Sequence, residues 1–380
     1  MIFPFQDLKL AYIRSMNITR PTLLLDTAKM EANLDAMIKK AERTNTELIP
    51  HFKTHQSREV AEAYRARGIE KITVSSVKMA EYFAAHGWDD ITIAFPINML
   101  EYRIINKLLS MGCQLTILVT SIESLTFLEE KLEGKVNAMI EVDAGYGRSG
   151  VPVKDHETVQ ELVNFMDTSN KIGFYGLYCH PGNTYQANSI EDIRQIWAVV
   201  IKKLNFLSNK LKTDVSFKIR IGDTPGCSVV EEMEGVDEIG PGNFIFYDLV
   251  MNYLNVCSED QIAVAVACPV VAKNANNRVV IHGGAVHFSK DHLFDAEEQK
   301  FFGEMVILEE QGWSQIIPGA KLISLSQEHG ILELDEVTYE TIRVGDVVGI
   351  LPIHSCLTAN LMKSYQTLDG QKFEHLEKTY

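Results

Sequence analysis

Val136-Asn137-Ala138-Met139-Ile140-Glu141-Val142 runs into the glycine-rich turn Asp143-Ala144-Gly145-Tyr146-Gly147-Arg148-Ser149-Gly150 and then into an amphipathic stretch over 154–167. An apolar segment of strand length, a turn and a helix-length periodic run make one β/α unit. The same rhythm continues on both sides. Apolar runs at 46–52, 71–74, 91–94, 115–119, 172–178, 215–220 and 236–239 bring the strand count to eight, and helical periodicity fills 56–67, 98–110, 121–132 and 189–208. Strands that alternate with helices predict a parallel sheet, because a parallel pair needs a long crossover. Eight such units within about 200 residues predict an α/β fold of the (β/α)8, TIM-barrel type, with an open doubly wound sheet as the alternative.

Beyond residue 245 the texture changes. The run 262–271 is apolar and β-branched, 274–277 is a turn, 278–281 resumes a strand, and 341–353 continues the pattern around Gly345 and Gly349. The chain is therefore expected to divide into a barrel over 21–244 and a C-terminal β-rich domain over 245–380, joined by residues 1–20.

Composition narrows the function classes. Of 380 residues, 46% are hydrophobic and 23% charged, values of an ordinary globular protein rather than a disordered or fibrous one. A formal charge of −15 argues against a general nucleic-acid binder, which needs a basic surface to neutralise phosphates. The six cysteines form no C-x-x-C pair, which speaks against a disulfide scaffold or a zinc ribbon and for a reducing, cytoplasmic setting. The first ten residues carry Asp7 and Lys9 and no long apolar core, and no apolar run approaches membrane-spanning length. The expected partner is a small molecule, with neither nucleic acid nor membrane involved.

Several motifs fall where barrel strands end, the face on which barrel enzymes place their chemistry. In His51-Phe52-Lys53-Thr54-His55, a partly desolvated Lys53 has the chemistry to attack a carbonyl and form a Schiff base; alone, such a lysine is more often a solvated rim charge. His51 and His55 are four apart but not on a helix, so they lack the geometry of a two-histidine metal site. Arg148 offers a fixed fork of donors for a phenolate or carboxylate, beside glycines that let a ligand approach the backbone; the bland reading is a turn with a surface arginine. His180 and Tyr185 follow the sixth strand in Gly176-Leu177-Tyr178-Cys179-His180-Pro181-Gly182-Asn183-Thr184-Tyr185. The turns holding Gly222 and Thr224, after strand seven, and Gly242 and Asn243, after strand eight, occupy a frequent phosphate position of barrels. In the β-rich domain, His354-Ser355-Cys356 on an extended chain would project imidazole and thiol from one face, as two ligands of a zinc ion with open positions; otherwise Cys356 is a small buried hydrophobe. The remaining histidines, among them His282, His287 and His329, form no closed ligand pattern in the sequence.

Taken in order, these motifs resemble the D-threonine aldolase and D-serine dehydratase family, which has the alanine-racemase type of pyridoxal-phosphate fold (fold type III). The resemblance runs from about 20 to 365 and includes Arg20-Pro21-Thr22 with Asp26, the Lys53 motif, 143–150, 176–185, Pro241-Gly242 with Phe246-Tyr247-Asp248, Glu328-His329-Gly330 and His354-Ser355-Cys356. It implies pyridoxal 5'-phosphate bound by Lys53, with Arg148 on the phenolic oxygen, His180 against the pyridine ring, and Tyr185, Gly222, Thr224, Gly242 and Asn243 around the cofactor and its phosphate. It implies a divalent metal on His354 and Cys356, and a homodimer with its active site near the subunit boundary. Gly240 departs from the pattern, which commonly has arginine before Pro-Gly.

Cys356 points within the family to the dehydratase branch, since the aldolase branch typically has aspartate there and a thiolate favours zinc. The resemblance thus implies a metal-assisted lyase acting on a D-3-hydroxy amino acid, by β-elimination to a keto acid and ammonia. The alternatives are retro-aldol cleavage to glycine and an aldehyde, racemisation, and cofactor carriage without turnover.

Overall fold

A computed structural model describes residues 18–376, and eight parallel strands appear where the sequence predicts them. They are β1 (Glu47–Leu48), β2 (Lys71–Val74), β3 (Asp90–Pro96), β4 (Gln114–Val119), β5 (Val136–Asp143), β6 (Ile172–Cys179), β7 (Lys218–Ile221) and β8 (Glu238–Ile239). From β2 to β8 each pairs with its neighbour in chain order, and β8 pairs in parallel with β1. Beyond the short β1, His51 bridges Thr73 of β2, with Phe52 N–H donating to the Thr73 carbonyl at 2.8 Å and Thr73 N–H to Pro50 at 2.9 Å. The ring closes, so the open sheet is excluded.

Local chemistry sets the helices between these strands. Ser76, Ser121, Asp155 and Ser189 cap the helices Val77–Ala85, Ile122–Lys131, His156–Thr168 and Ile190–Ser208 by accepting a backbone N–H of the first turn. Apolar stripes such as Ile193, Trp197, Val200, Leu204 and Leu207 bury one helix face. Inside the barrel Arg220 is 1% exposed. Its Nε donates to Glu238 Oε2 at 2.6 Å and its Nη1 to Thr92 at 2.8 Å, while Tyr175 donates to Glu238 Oε1 at 2.5 Å. A buried ion pair is tolerable when its remaining donors and acceptors are met in this way.

The chain divides into two units, Asp35–Phe244 and the remainder. The division falls at residue 34, not at 21, because Thr22–Leu25 pairs antiparallel with Val264–Ala267 of the β-rich sheet. The expected participation of residues 1–17 lies outside the described residues. The β-rich unit holds a nine-stranded sheet, in which Val264–Asn274 pairs with both Arg278–His282 and Val347–Pro352 and closes part of it on itself. The expected strand over 341–353 is shorter: Glu336–Thr341 is helical, and the strand is Val347–Pro352. Among the described residues no helix is long and apolar enough to cross a membrane.

Candidate active site

Every barrel residue singled out above lies just past the C-terminal end of a strand: Lys53 after β1, Arg148 after β5, His180 and Tyr185 after β6, Gly222 and Thr224 after β7, and Gly242 and Asn243 after β8. Lys53 is half-buried, and its backbone N–H donates to His51 Nδ1 at 3.3 Å. Burial, reinforced by the charges of Lys53 and Arg148, pushes the pKa of His51 well below the usual imidazole value. The ring is thus neutral among cations.

His180 is neutral for the same reason. Burial takes its pKa down to about 3 against the opposing pull of its bond to the Gly222 carbonyl, and Arg148 and Lys53 add to the drop. Because a carbonyl only accepts, Nδ1 of His180 carries the proton donated to Gly222, and Nε2 keeps a lone pair. The His180 ring centroid is 6.3 Å from Tyr185 and 5.9 Å from Tyr146. The Tyr185 hydroxyl accepts the Thr224 N–H at 3.2 Å. Asp223 ties these two loops together by accepting from Thr184 Oγ1 at 2.9 Å, Trp197 Nε1 at 2.8 Å and Gly226 N–H at 2.7 Å. Burial holds its carboxyl up at about 6 even against those donors.

The barrel face has the features a phosphorylated pyridine ring requires. Thr224 Oγ1 is buried without a partner among the described residues. A Cβ at Gly242 would come within 2.8 Å of the His51 carbonyl and 3.0 Å of Thr54 Oγ1, so only glycine lets this turn lie against the Lys53 segment. Asn243, also buried, follows it. A Cβ at Gly240 would meet the Ile49 carbonyl at 3.4 Å and Arg220 Cδ at 3.9 Å, and the buried guanidinium of this region belongs to Arg220.

The metal motif corrects one expectation. His354 and Cys356 are not neighbours on one face of a strand; Val347–Pro352 ends first, and the helix Ser355–Met362 begins with His354 as its cap residue. The turn forms because Asp248 Oδ2 accepts the Ser355 N–H at 3.0 Å and lies 3.3 Å from its hydroxyl. The imidazole and thiol still meet, through a hydrogen bond. Asp291 Oδ2 lies 2.9 Å from His354 Nδ1. Burial alone would lower the His354 pKa, but Asp291 and Cys356 carry it up to about 11. With Nδ1 held by a carboxylate, Nε2 is the ring nitrogen left for a ligand, which is the arrangement that orients metal-binding histidines. One imidazole nitrogen and one sulfur suit zinc.

A second cluster brings ligand atoms of His282, His287 and Glu328 within 4.8 Å of one another. His282 Nε2 and His287 Nε2 lie 3.7 and 3.9 Å from Glu328 Oε2. Gly284 N–H donates to His287 Nδ1 at 3.0 Å, so Nε2 carries the proton of the neutral ring and faces Glu328 as a donor. Asp248, Asp291, Tyr146 and Glu141 escaped the sequence reading of the site. Asp248 was visible only as part of a motif, and Asp291 in Ser289-Lys290-Asp291 has no spacing signal toward position 354.

Residues 25–248 match the family described as "Alanine racemase, N-terminal domain", and 263–368 match "Putative serine dehydratase domain". The chain belongs to the D-serine dehydratase and D-threonine aldolase family. It is a pyridoxal-phosphate-dependent enzyme of the lyase type. The D-threo-3-hydroxyaspartate dehydratase of Delftia sp. (strain HT23) is 29% identical over 95% of this chain and 98% of its own. The D-serine dehydratase of Dictyostelium discoideum is 24% identical over 93% and 94% of the two chains. A solved cysteine variant of D-threo-3-hydroxyaspartate dehydratase, in a metal-free form, aligns with a TM-score of 0.87 at 26% identity, covering 96% of this chain and 99% of that one. The fold of this lyase is accordingly that of the alanine racemase-like enzymes.

Proposed function

We propose that this lyase removes the β-hydroxyl from a D-3-hydroxy amino acid, D-serine or a close relative such as D-3-hydroxyaspartate, to give a keto acid and ammonia. The observation that carries this reading is the His354–Cys356 pair with Asp291 behind it, a nitrogen and sulfur donor set suited to zinc. When bound, pyridoxal phosphate supplies the electron sink for loss of the α-proton, and the metal supplies positive charge for the departing hydroxyl.

The protein residues have separable tasks in this reading. Lys53 would hold the cofactor, and its Nζ would take the α-proton. His51 and His180, both neutral, place no positive charge beside that amine to compete with its proton transfer. Arg148 supports the negative ring oxygen of the cofactor. Thr224, Gly222, Gly242 and Asn243 hold the phosphate, and Asp223 keeps the Tyr185 and Thr224 loops in register. The working protein in this reading is a homodimer, which light scattering on the purified chain checks.

D-serine, D-threonine and D-3-hydroxyaspartate, with keto acid scored against glycine, test the reaction. Keto acid as the main product supports elimination. Glycine with an aldehyde replaces it with retro-aldol cleavage, and equal rates on L-serine reject the stereochemistry.

A further inference from the structure

Glu141 sits at the end of β5 with its side chain 4% exposed. Oε1 accepts from Ser149 Oγ at 2.7 Å, and Oε2 is buried with no partner among the described residues. Leaving a buried carboxyl oxygen unsatisfied is costly, so its persistence here calls for a task. Burial pushes the carboxyl pKa up, while Ser149 and Arg148 pull it back.

The nearest cation is Arg148, whose Nη2 lies 4.0 Å from Oε1 and whose guanidinium lies 5.6 Å from the Tyr146 ring centroid. The turn that joins them is forced. Gly150 has φ +103°, and a Cβ there would stand 2.9 Å from Asp143 N and 3.1 Å from the Glu141 carbonyl. Asp143 accepts the N–H groups of Gly145, Tyr146 and Gly147 at 2.8–3.1 Å. The loop therefore folds back over the strand end and brings both Ser149 and Arg148 above Glu141.

We propose that Glu141 is a positioning residue for Arg148: Ser149 pins one carboxylate oxygen, and the carboxylate takes one edge of the guanidinium so that the other edge is presented to the cofactor's ring oxygen. This rests on the reading that Arg148 faces the cofactor. Arg148 is half exposed, and an arginine side chain loses substantial rotamer freedom when it is fixed. A buried carboxyl of fixed position, whose Oε1 lies 4.0 Å from Nη2, supplies the restraint. At 4.0 Å the two groups form an ion pair, so charge and not a hydrogen bond supplies the attraction.

The test is a double-mutant cycle on pyridoxal-phosphate affinity, measured by equilibrium dialysis of the full-length protein, with the visible absorption of the bound cofactor as a second readout. Glu141→Gln keeps the shape and removes the charge. It should weaken cofactor binding roughly threefold to fivefold, the size expected for a lost, partly exposed ion pair, and shift the visible band. In an Arg148→Ala background the same change should do almost nothing. Ser149→Ala gives a second cycle with a smaller effect and covers the case in which Glu141→Gln does not fold. Equal effects of Glu141→Gln with and without Arg148 would show a purely structural carboxylate and overturn the proposal. An Arg148→Ala protein with unchanged affinity and spectrum would instead overturn the placing of Arg148 on the cofactor, and the proposal with it.

Discussion

Asp291 Oδ2 stands 2.9 Å from Nδ1 of His354 across 63 residues of chain. The bond holds the ring's direction and leaves Nε2 for the ligand role proposed above. Asp291→Asn keeps the shape but loses the charge. Zinc affinity should fall about 10- to 100-fold, as is usual when the partner of a ligating histidine is altered. Bound pyridoxal phosphate should be unaffected. Metal content after dialysis against graded chelator, read beside the visible spectrum, checks both halves.

Cys356→Ala should keep the cofactor and lose the metal together with most elimination activity. Chelation of the wild type should do the same, and added zinc should restore the wild type but not the variant. Full activity in a metal-free wild type would refute the ligand assignment.

Lys53→Ala should abolish both the visible band of the bound cofactor and turnover. Borohydride reduction of the wild type followed by peptide mapping should find the phosphopyridoxyl group on Lys53, and its recovery on any other lysine removes the assignment.

Asp248 accepts the Ser355 N–H and also caps the helix Leu249–Tyr253 through Met251 N–H at 3.1 Å. Asp248→Ala leaves a buried donor unmet and removes a cap, and should cost roughly 2–4 kcal/mol. Chemical denaturation measures the loss, and a change below about 0.5 kcal/mol would show that other groups satisfy Ser355.

Asp223 has a carboxyl raised to about 6 when folded, from an ordinary 3.8. Between those values the folded state holds more protons than the unfolded one, so stability from this residue is greatest at low pH and falls as pH rises through 6. The stability advantage of the wild type over Asp223→Asn should therefore shrink by up to about 3 kcal/mol between pH 4 and pH 7. Denaturant titrations of both proteins at the two pH values measure it, and an advantage that grows with pH would contradict the sign.

Local pattern alone determined a great deal here. The eight apolar runs, their helices and the turns that hold Lys53, Arg148, His180 and Thr224 were legible in the sequence, because side-chain periodicity and glycine placement are properties of neighbours in the chain. Cys356 two residues from His354 was likewise enough to pair them. What the tertiary structure decided depends on groups far apart in sequence. Closure of the barrel needs β1 to meet β8 and His51 to meet Thr73, and the strand Thr22–Leu25 joins the β-rich sheet through residues 264–267. Ser355 begins a helix, not a strand, because Asp248, 107 residues earlier, takes its N–H. The same holds for Asp291 behind His354. A buried carboxylate is placed by the packing around it, and that packing leaves no period in the sequence from which its partner is read.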